Sequence, residues 1–203
     1  KGGMGVVVAA THLQLKERVA LKFLLPQSAS EPEFAARFQR EAQLMAKLRS
    51  EHVVRVSDVG VLDTGAPYMV MELLEGADLR DVIREVGQLP LDVALDYFLQ
   101  ACEGVAEAHA LGIVHRDLKP TNLFVSQRRD GSALVKVLDF GISKFHGDDA
   151  DDDDQLTGAA TILGSPKYMP LEQLRSSRDA DHRADVWALG AILQELLTSA
   201  PPF

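Results

Sequence analysis

Short apolar runs near the start of the chain predict strands followed by a helix. Val6–Ala10 and Val19–Phe23 are rich in β-branched residues and flank a polar segment, which is typical of two strands joined by a turn. A helix start follows, because Ser30 and Glu33 form a Ser-x-x-Glu capping box and Pro32 is tolerated in a first turn.

One face of this predicted helix carries a charge. Spacings of three and four place four apolar residues and one carboxylate on a single stripe, namely Phe34, Phe38, Glu41, Met45 and Leu48. A charge on a buried stripe needs a partner or a shifted pKa, because an unpaired charge is costly to bury. We therefore expect Glu41 to meet a cation from another part of the chain.

The pattern changes from strands to helices near residues 72–78. Before this join, residues 53–61 and Tyr68–Glu72 predict two further strands, and Leu73–Gly76 resembles a connector. From Asp78 onward the pattern is mainly helical. The chain therefore has a small strand-rich N-terminal part and a larger helical part, which indicates an α+β fold.

Two helices and two short strands stand out in the second part. Leu123–Val125 and Val135–Leu138 predict the strands, and Asp185–Thr198 is apolar almost all round, which is typical of a helix buried on most sides. The other helix is predicted over Leu91–Ala110. Its predicted apolar face consists of Leu95, Phe98, Leu99, Cys102, Val105 and Ala106.

Composition narrows the functional class. The formal net charge of the 203 residues is −9, and six aspartates within residues 148–154 account for all but −3 of it. A broad basic face for nucleic acid is therefore not expected.

The chain has a single cysteine, Cys102, which excludes an internal disulfide. Cys102 is expected to act as a small buried hydrophobe, which fits a reducing, cytoplasmic setting. No stretch is long and apolar enough to span a bilayer, and no signal peptide opens the chain.

The candidate chemistry is concentrated in two motifs. His115–Asn122 reads His-Arg-Asp-Leu-Lys-Pro-Thr-Asn and lies between a predicted helix and a predicted strand. Asp139-Phe140-Gly141 begins 17 residues after Asn122, again directly after a predicted strand. Acidic and amide side chains on neighbouring loops suit phosphoryl transfer, which depends on positioning, metal ions with oxygen ligands and charge neutralisation.

Together the motifs resemble those of the eukaryotic-type (Hanks-type) Ser/Thr protein kinase family, most like its bacterial members. Val19–Lys22 resembles the strand whose lysine contacts the ATP phosphates. Gly2, Gly3 and Gly5 resemble the end of the phosphate-covering loop. The resemblance implies a two-lobed protein-kinase-like fold. A small antiparallel sheet with one helix would occupy residues 1–74, and a mainly helical lobe would occupy residues 75–203.

The resemblance also implies roles for the motif residues. Asp117 would accept or orient the proton of the attacking hydroxyl, and Lys119 would stabilise the γ-phosphoryl group. Asn122 and Asp139 would hold Mg²⁺, with Mn²⁺ as an alternative ion.

ATP would contact both lobes. Lys22, fixed by Glu41, would position the α- and β-phosphates. The resemblance implies an adenine roof from Val7 and Ala20, a floor from Phe124, a back wall from Met71, backbone hydrogen bonds from Glu72 and Leu74, and a ribose contact from Asp78.

Between Asp139 and Glu172 the chain resembles the activation segment of the family. Arg116, beside the catalytic aspartate, implies control by a phosphate on this segment. Thr157 and Thr161 are the candidate sites, and the alternative is that both are ordinary loop threonines.

The end of this segment departs from the family pattern in one place. Gly164–Met169 resembles the Gly-Thr-Pro-x-Tyr-Met stretch, with Ser165 where the family has threonine. The Ala-Pro-Glu or Ser-Pro-Glu that follows is here Pro170-Leu171-Glu172, so the proline has moved by one position. This change concerns the substrate-binding loop and not the phosphate chemistry.

The resemblance also implies that Asp185 hydrogen-bonds the backbone of the loop that carries Asp117.

The resemblance implies an active Ser/Thr protein kinase in bacterial signalling, with protein substrates, ATP and autophosphorylation through self-association. The alternatives are a pseudokinase that binds without transfer and a kinase of small molecules. All six catalytic groups are present, which argues against a pseudokinase. The activation segment and Glu172 argue against a small-molecule kinase.

Both ends of the chain resemble the edges of a fragment. The first strand of the family and its last helices have no counterpart, and any membrane anchor of the parent would lie outside these residues. We expect the isolated fragment to expose apolar surface on Asp185–Thr198 and to be poorly soluble.

Overall fold

The computed structural model describes residues 5–24, 32–140, 166–175 and 180–203. Its first part consists of β1 (Gly5–Thr11), β2 (Arg18–Leu24), α1 (Pro32–Met45), β3 (Val56–Val61) and β4 (Pro67–Glu72). The four strands form an antiparallel sheet in the order β1-β2-β4-β3, and α1 packs against β3 and β4.

The second part is mainly helical and contains a smaller sheet. Strands β5 (Ala77–Asp78), β6 (Leu123–Gln127) and β7 (Ala133–Val137) form this sheet in sequence order, with antiparallel pairing. Single turns of 3-10 helix lie at Pro120–Asn122 and Pro166–Tyr168. The helices of this part are α2 (Leu79–Val86), α3 (Leu91–Ala110), α4 (Leu171–Arg175) and α5 (His182–Thr198).

The stripe predicted on the first helix faces the core. Phe38, Glu41 and Met45 on α1 and Leu48 beyond it are buried. The predicted cap, Ser30, lies outside the described residues. The segment before β3 is not a strand of the first sheet, because the N–H of Val54 donates to the carbonyl of Val137 at 3.0 Å and thereby joins β7.

The buried face of α3 differs from the predicted one. Leu95, Leu99 and Ala106 are exposed, whereas the small residues Ala94, Ala101, Gly104 and Ala108 are buried with Val105. The helix packs against β7 and α5. A close approach to these elements favours the small side chains, so the inward face lies one residue away from the leucine stripe. Cys102 is half-buried and contacts the core, and burial raises the pKa of its thiol.

Helix α5 buries one side and exposes the other. Ala188, Leu189 and Ile192 are buried, but Val186 is 59% exposed and Trp187 is 45% exposed. The prediction of burial on most sides does not hold for this helix, whereas the exposed apolar surface expected on Asp185–Thr198 is present. The ring of Trp187 stacks on Phe203, with centroids 5.8 Å apart. None of the helices in the described ranges has the length and apolar character needed to cross a membrane.

Candidate active site

Lys22 on β2 lies between two carboxylates from different elements. Its Nζ atom is 3.4 Å from Oε1 of Glu41 on α1 and 2.7 Å from Oδ1 of Asp139, which follows β7. Burial by itself would lower the pKa of the Lys22 ammonium, but the charges of Asp139 and Glu41 more than offset this effect and raise the pKa. The predicted Lys22–Glu41 pair is present, and Lys22 is a fixed positive charge.

Asp117 is the centre of a second group of polar side chains. Its Oδ2 atom accepts a hydrogen bond from Nζ of Lys119 at 2.9 Å and another from Nδ2 of Asn122 at 3.1 Å. Nδ2 of Asn122 also donates to the backbone carbonyl of Asp117 at 2.8 Å. Asp117 is only 7% exposed, so these donors fix the orientation of a carboxylate that has little water around it.

His115 connects this second group to the Asp-Phe-Gly motif. Its Nε2 atom donates to the carbonyl of Leu138 at 2.8 Å, and its Nδ1 atom accepts the N–H of Asp117 at 3.2 Å. The ring packs on Phe140 with centroids 4.7 Å apart, and the N–H of Leu138 donates to the carbonyl of Asn122. Burial lowers the pKa of His115 despite nearby carboxylates, which favours the neutral imidazole.

Asp185, in the first turn of α5, holds the backbone of the His-Arg-Asp segment, as predicted. Its Oδ2 atom accepts the N–H of His115 at 2.8 Å and Nε2 of His109 at 2.7 Å, and its Oδ1 atom accepts the N–H of Arg116 at 2.7 Å. Arg116 and Asp139 have φ angles of +61° and +38°, which side-chain-bearing residues rarely adopt. Such conformations persist where the surrounding contacts over-determine them, often at functional sites.

The residues predicted to cover the adenine share one face of the first sheet. In the antiparallel ladders Ala20 pairs with Met71, and Lys22 pairs with Val7. Directly opposite residues project to the same side, and Ala20 and Lys22 are two residues apart on β2. Ala20 and Met71 are buried, whereas Val7 is 54% exposed. An apolar surface thus lies beside the Lys22 ammonium.

The second sheet carries the residue predicted to form the floor of the nucleotide pocket. Phe124 pairs with Asp78 between β6 and β5, and both side chains are half-buried. Asp78 also caps α2, because its Oδ1 atom accepts the N–H of Asp81 at 2.9 Å. Leu74 is half-buried in the connector between the two sheets. The capping role of Asp78 was not predicted, although an aspartate directly before a helical pattern is its usual signal.

Glu72 is held by contacts that sequence reasoning missed. Its N–H donates to the carbonyl of Arg55 at 3.1 Å, and its Oε1 atom accepts the N–H of Arg55 and Nζ of Lys136, both at 2.7 Å. Lys136 on β7 is 7% exposed. The available signal was a lysine inside the apolar run 135–138, because a buried ammonium needs an anionic partner.

The displaced proline lies where the chain enters α4. Pro170 is buried, Leu171 begins the helix and is 66% exposed, and the N–H of Leu174 donates to the carbonyl of Pro170. Just before it, the hydroxyl of Tyr168 donates to Oε2 of Glu195 on α5 at 2.6 Å. Burial and this hydrogen bond raise the pKa of Tyr168. The hydrogen bond from Tyr168 therefore connects the segment before α4 to α5.

The predicted glycine loop and activation segment lie mostly outside the described residues. Gly5 begins β1, where an added Cβ would lie 2.7 Å from the carbonyl oxygen of Phe23, so the position favours glycine. Outside the described residues lie Gly2, Gly3, Gly141, Thr157, Thr161 and Ser165.

Asn122 and Asp139 suit a hard cation by the chemistry of their donor atoms. Nδ2 of Asn122 is engaged with Asp117, so its carbonyl oxygen Oδ1 is the atom that can ligate a metal. Mg²⁺ prefers oxygen ligands and usually completes its shell with water and phosphate oxygens. Within the ranges that the structure describes, no three His, Cys, Asp or Glu side chains are grouped as metal ligands. The two residues fit an ion that also binds phosphates.

Comparisons with known proteins agree with this geometry. The family model described as "Protein kinase domain" matches residues 1–203. The chain is 40% identical over 203 residues to "Serine/threonine-protein kinase pkn3" of Myxococcus xanthus, and 39% identical over 205 residues to "Serine/threonine-protein kinase PknB" of Mycobacterium leprae. All of this chain is covered in both cases, but only 37% and 32% of those proteins. The chain thus spans about a third of the length of these curated relatives.

A solved structure shows the same fold. The crystal structure titled "Rad53 1-466 in complex with AMP-PNP" matches with a TM-score of 0.77 and 27% sequence identity, and covers 100% of this chain and 47% of that chain. The two-lobed α+β fold predicted from the motifs is therefore confirmed.

Proposed function

The chain belongs to the protein kinase domain family, and from this premise we propose that the protein transfers the γ-phosphoryl group of ATP to Ser and Thr hydroxyls of other proteins. The observation that carries the proposal is the convergence of Lys22, Asp117 and Asp139 through the contacts described above. Bacterial Ser/Thr kinases at about 40% identity support the choice of Ser and Thr as acceptors.

Asp117 acts on the attacking hydroxyl in the proposed reaction. Its carboxylate, oriented by Lys119 and Asn122, accepts or orients the proton of the Ser or Thr side chain. Lys119 neutralises charge on the γ-phosphoryl group, since its ammonium lies within 2.9 Å of the same carboxylate.

Lys22 and the metal-binding pair act on the nucleotide. Glu41 fixes Lys22, which binds the α- and β-phosphates. Asn122 and Asp139 would hold the divalent cation that the family uses with ATP, here Mg²⁺ or alternatively Mn²⁺. When bound, the cation neutralises phosphate charge and orients the γ-phosphate for in-line transfer.

The proposed adenine site lies between the two sheets. The apolar face of Val7, Ala20 and Met71 covers the base from one side, and Phe124 covers it from the other. The main chain of Glu72 and Leu74 hydrogen-bonds the base. Gly2, Gly3 and Gly5 cover the phosphates, and Asp78 contacts the ribose.

Regulation and location are further parts of the proposal. Arg116 would receive a phosphate on Thr157 or Thr161, added by a second copy of the protein. The reaction would take place in the cytoplasm, where ATP is available. An anchor elsewhere in the parent protein is compatible with this location.

The first test is transfer of labelled γ-phosphate from Mg-ATP to a basic protein and to the kinase itself, using the full-length protein. We expect Asp117→Ala to lower the transfer rate by about 10²–10⁴-fold because a positioned acid–base group is lost. ATP binding should stay nearly unchanged, since Asp117 acts on the acceptor. A matched control is Asp63→Ala, which removes an exposed loop aspartate and should leave transfer unaffected.

The outcomes separate the candidate functions. Label on Ser or Thr that disappears in Asp117→Ala supports the protein kinase. Binding of ATP without transfer to any protein, even after addition of an activated kinase, contradicts it and favours a pseudokinase. Undiminished transfer by Asp117→Ala would exclude the proposed role of Asp117.

A further inference from the structure

Lys136 and Glu72 form an ion pair between the two sheets. Lys136 lies within β7 of the smaller sheet, and Glu72 is the last residue of β4 in the larger sheet. The Nζ and Oε1 atoms are 2.7 Å apart, with the side chains 8% and 26% exposed. A buried ammonium that loses its partner is costly, so the pair constrains the position of the end of β4 relative to β7.

The backbone of Arg55 adds two further restraints on Glu72. The Oε1 atom that accepts from Lys136 also accepts the N–H of Arg55 at 2.7 Å, and the N–H of Glu72 donates to the carbonyl of Arg55 at 3.1 Å. Glu72 is thus held through its side chain and its main chain. This arrangement restricts the direction of its own carbonyl group, which begins the connector between the sheets.

Strand alternation directs Lys136 toward Glu72 and not into the core. Val135 and Val137 are fully buried on one face of β7, and Lys136 projects from the other face. In the ladder Lys136 pairs directly with Phe124, so both side chains lie on the same side of the smaller sheet. Phe124 is the proposed floor of the adenine site. The ion pair therefore lies on the side of the smaller sheet that carries the proposed floor of the adenine site.

From these contacts we infer that Lys136 is a positioning residue for adenine recognition. Through the carboxylate of Glu72 it orients the Glu72 carbonyl, which accepts a hydrogen bond from the 6-amino group of adenine. The inference rests on the proposed function, in which the backbone of Glu72 and Leu74 binds the base. Lys136 touches neither ATP nor the acceptor hydroxyl, and it acts only through Glu72.

The test compares binding of two nucleotides by calorimetry in the presence of Mg²⁺. ATP and purine riboside 5′-triphosphate differ at the 6-amino group, which the second lacks. The full-length protein carries Asp117→Ala to prevent turnover. With Lys136 in place, we expect about tenfold tighter binding of ATP, the effect of one well-oriented hydrogen bond. Lys136→Met keeps the side-chain length without the charge and should reduce this preference to about twofold.

Conservative variants separate positioning from stability. Lys136→Arg keeps a cation and should retain most of the preference for ATP. Glu72→Gln should lose it as Lys136→Met does, and the double variant should lose no more than either single one, because the two residues act as a unit. Circular dichroism and thermal unfolding check that each variant is folded. If Lys136→Met does not fold, Glu72→Gln provides the same comparison.

Two results would overturn the inference, and they differ from failure of the proposed function. A folded Lys136→Met or Glu72→Gln variant that keeps the tenfold preference would show that the pair is only structural. Equal binding of both nucleotides by the protein with Lys136 in place would show that the 6-amino group is not read there. Absence of ATP binding in that protein would contradict the proposed function itself.

Discussion

At the scale of single residues, the partners of a buried group determine its protonation state in this site. Lys22 and His115 are both shielded from water, yet their pKa values move in opposite directions. Lys22 lies between the carboxylates of Glu41 and Asp139, which outweigh the cost of burying its charge. His115 bonds neutral backbone groups through both ring nitrogens, so burial dominates and the neutral form is favoured.

The lowered pKa of His115 predicts a dependence of stability on pH. Below about pH 6.5 the unfolded chain binds a proton at this histidine that the folded chain does not bind. The free energy of unfolding should therefore fall as the pH drops below about 6.5, by at most about 1.4 kcal/mol per pH unit for this group. Above that pH the contribution is constant. The measurement is urea unfolding between pH 5 and about pH 8.

His115→Phe isolates this contribution from the carboxylates that titrate nearby. The variant keeps a flat ring against Phe140 but has no proton to bind, and it loses two hydrogen bonds. It should be less stable at every pH, with a shallower decline between about pH 6.5 and 5. Equal slopes in both proteins would contradict a depressed pKa in the folded state.

At the scale of elements, the close approach of α3 to the segment before β3 organises the larger part of the molecule. A Cβ added at Gly104 would lie 2.6 Å from the carbonyl oxygen of His52 and 3.1 Å from a methyl group of Val137. The same segment is held by Glu107, whose carboxylate accepts the N–H of Ser50 at 2.7 Å. A small residue in α3 and an acidic one three positions later thus hold the helix close to the segment before β3.

Gly104→Ala should destabilise the protein even though alanine is the better helix former. The added methyl group meets backbone at a distance that real Cβ atoms do not show, so α3 or the His52 segment must shift. We expect a loss of about 1–3 kcal/mol in the free energy of unfolding, measured with denaturant. Ala106→Ser, at an exposed position of the same helix, should change it by less than about 0.5 kcal/mol. A stabilised Gly104→Ala variant would show that α3 does not approach so closely.

At the scale of the whole molecule, contacts across the proposed nucleotide site join the two sheets. Lys22 on the larger sheet binds Asp139 after β7, and Glu72 at the end of β4 binds Lys136 on β7. In each ion pair the lysine side chain is largely buried, 15% exposed for Lys22 and 8% exposed for Lys136. A ligand that binds between the sheets should therefore stabilise the molecule as a unit.

Mg-ATP should raise the melting temperature of the protein by mass action. At a concentration about 100 times its dissociation constant, a ligand that binds only the folded state adds about 2.7 kcal/mol. For a domain of this size the shift is about 5–10 °C in a calorimetric scan. Lys22→Met should lose most of the shift, because the phosphates lose their fixed cation, whereas Asp117→Ala should keep it. Lys47→Met, at an exposed lysine, is the matched control, and a full shift in Lys22→Met would argue against phosphate binding by Lys22.

Local patterns predicted much of this arrangement. The stripe on α1 identified Glu41 as a buried carboxylate in need of a cation, and Lys22 is that cation. The motif spacing also predicted which loops carry Asp117 and Asp139. These features depend on periodicity and on residues close together in the chain, both of which are visible without coordinates.

Contacts between distant segments were not predictable in the same way. The leucines of α3 suggested the wrong inward face, and the lysine in β7 gave no indication that its partner would be Glu72. How closely two backbones approach depends on all the side chains between them, and a hydrophobic stripe does not encode that distance. Hydrophobic periodicity favoured Leu95 and Leu99, whereas packing selected the smaller residues beside them.

The sequence by itself determined the order of strands and helices, the reactive side chains and their resemblance to protein kinases, because these properties are local or shared with a family. Only the tertiary structure decided the buried face of α3 and the Lys136–Glu72 pair beside the proposed adenine site. Each of these follows from the meeting of segments whose separation is set by packing. Their partners therefore become evident only when the chain is folded.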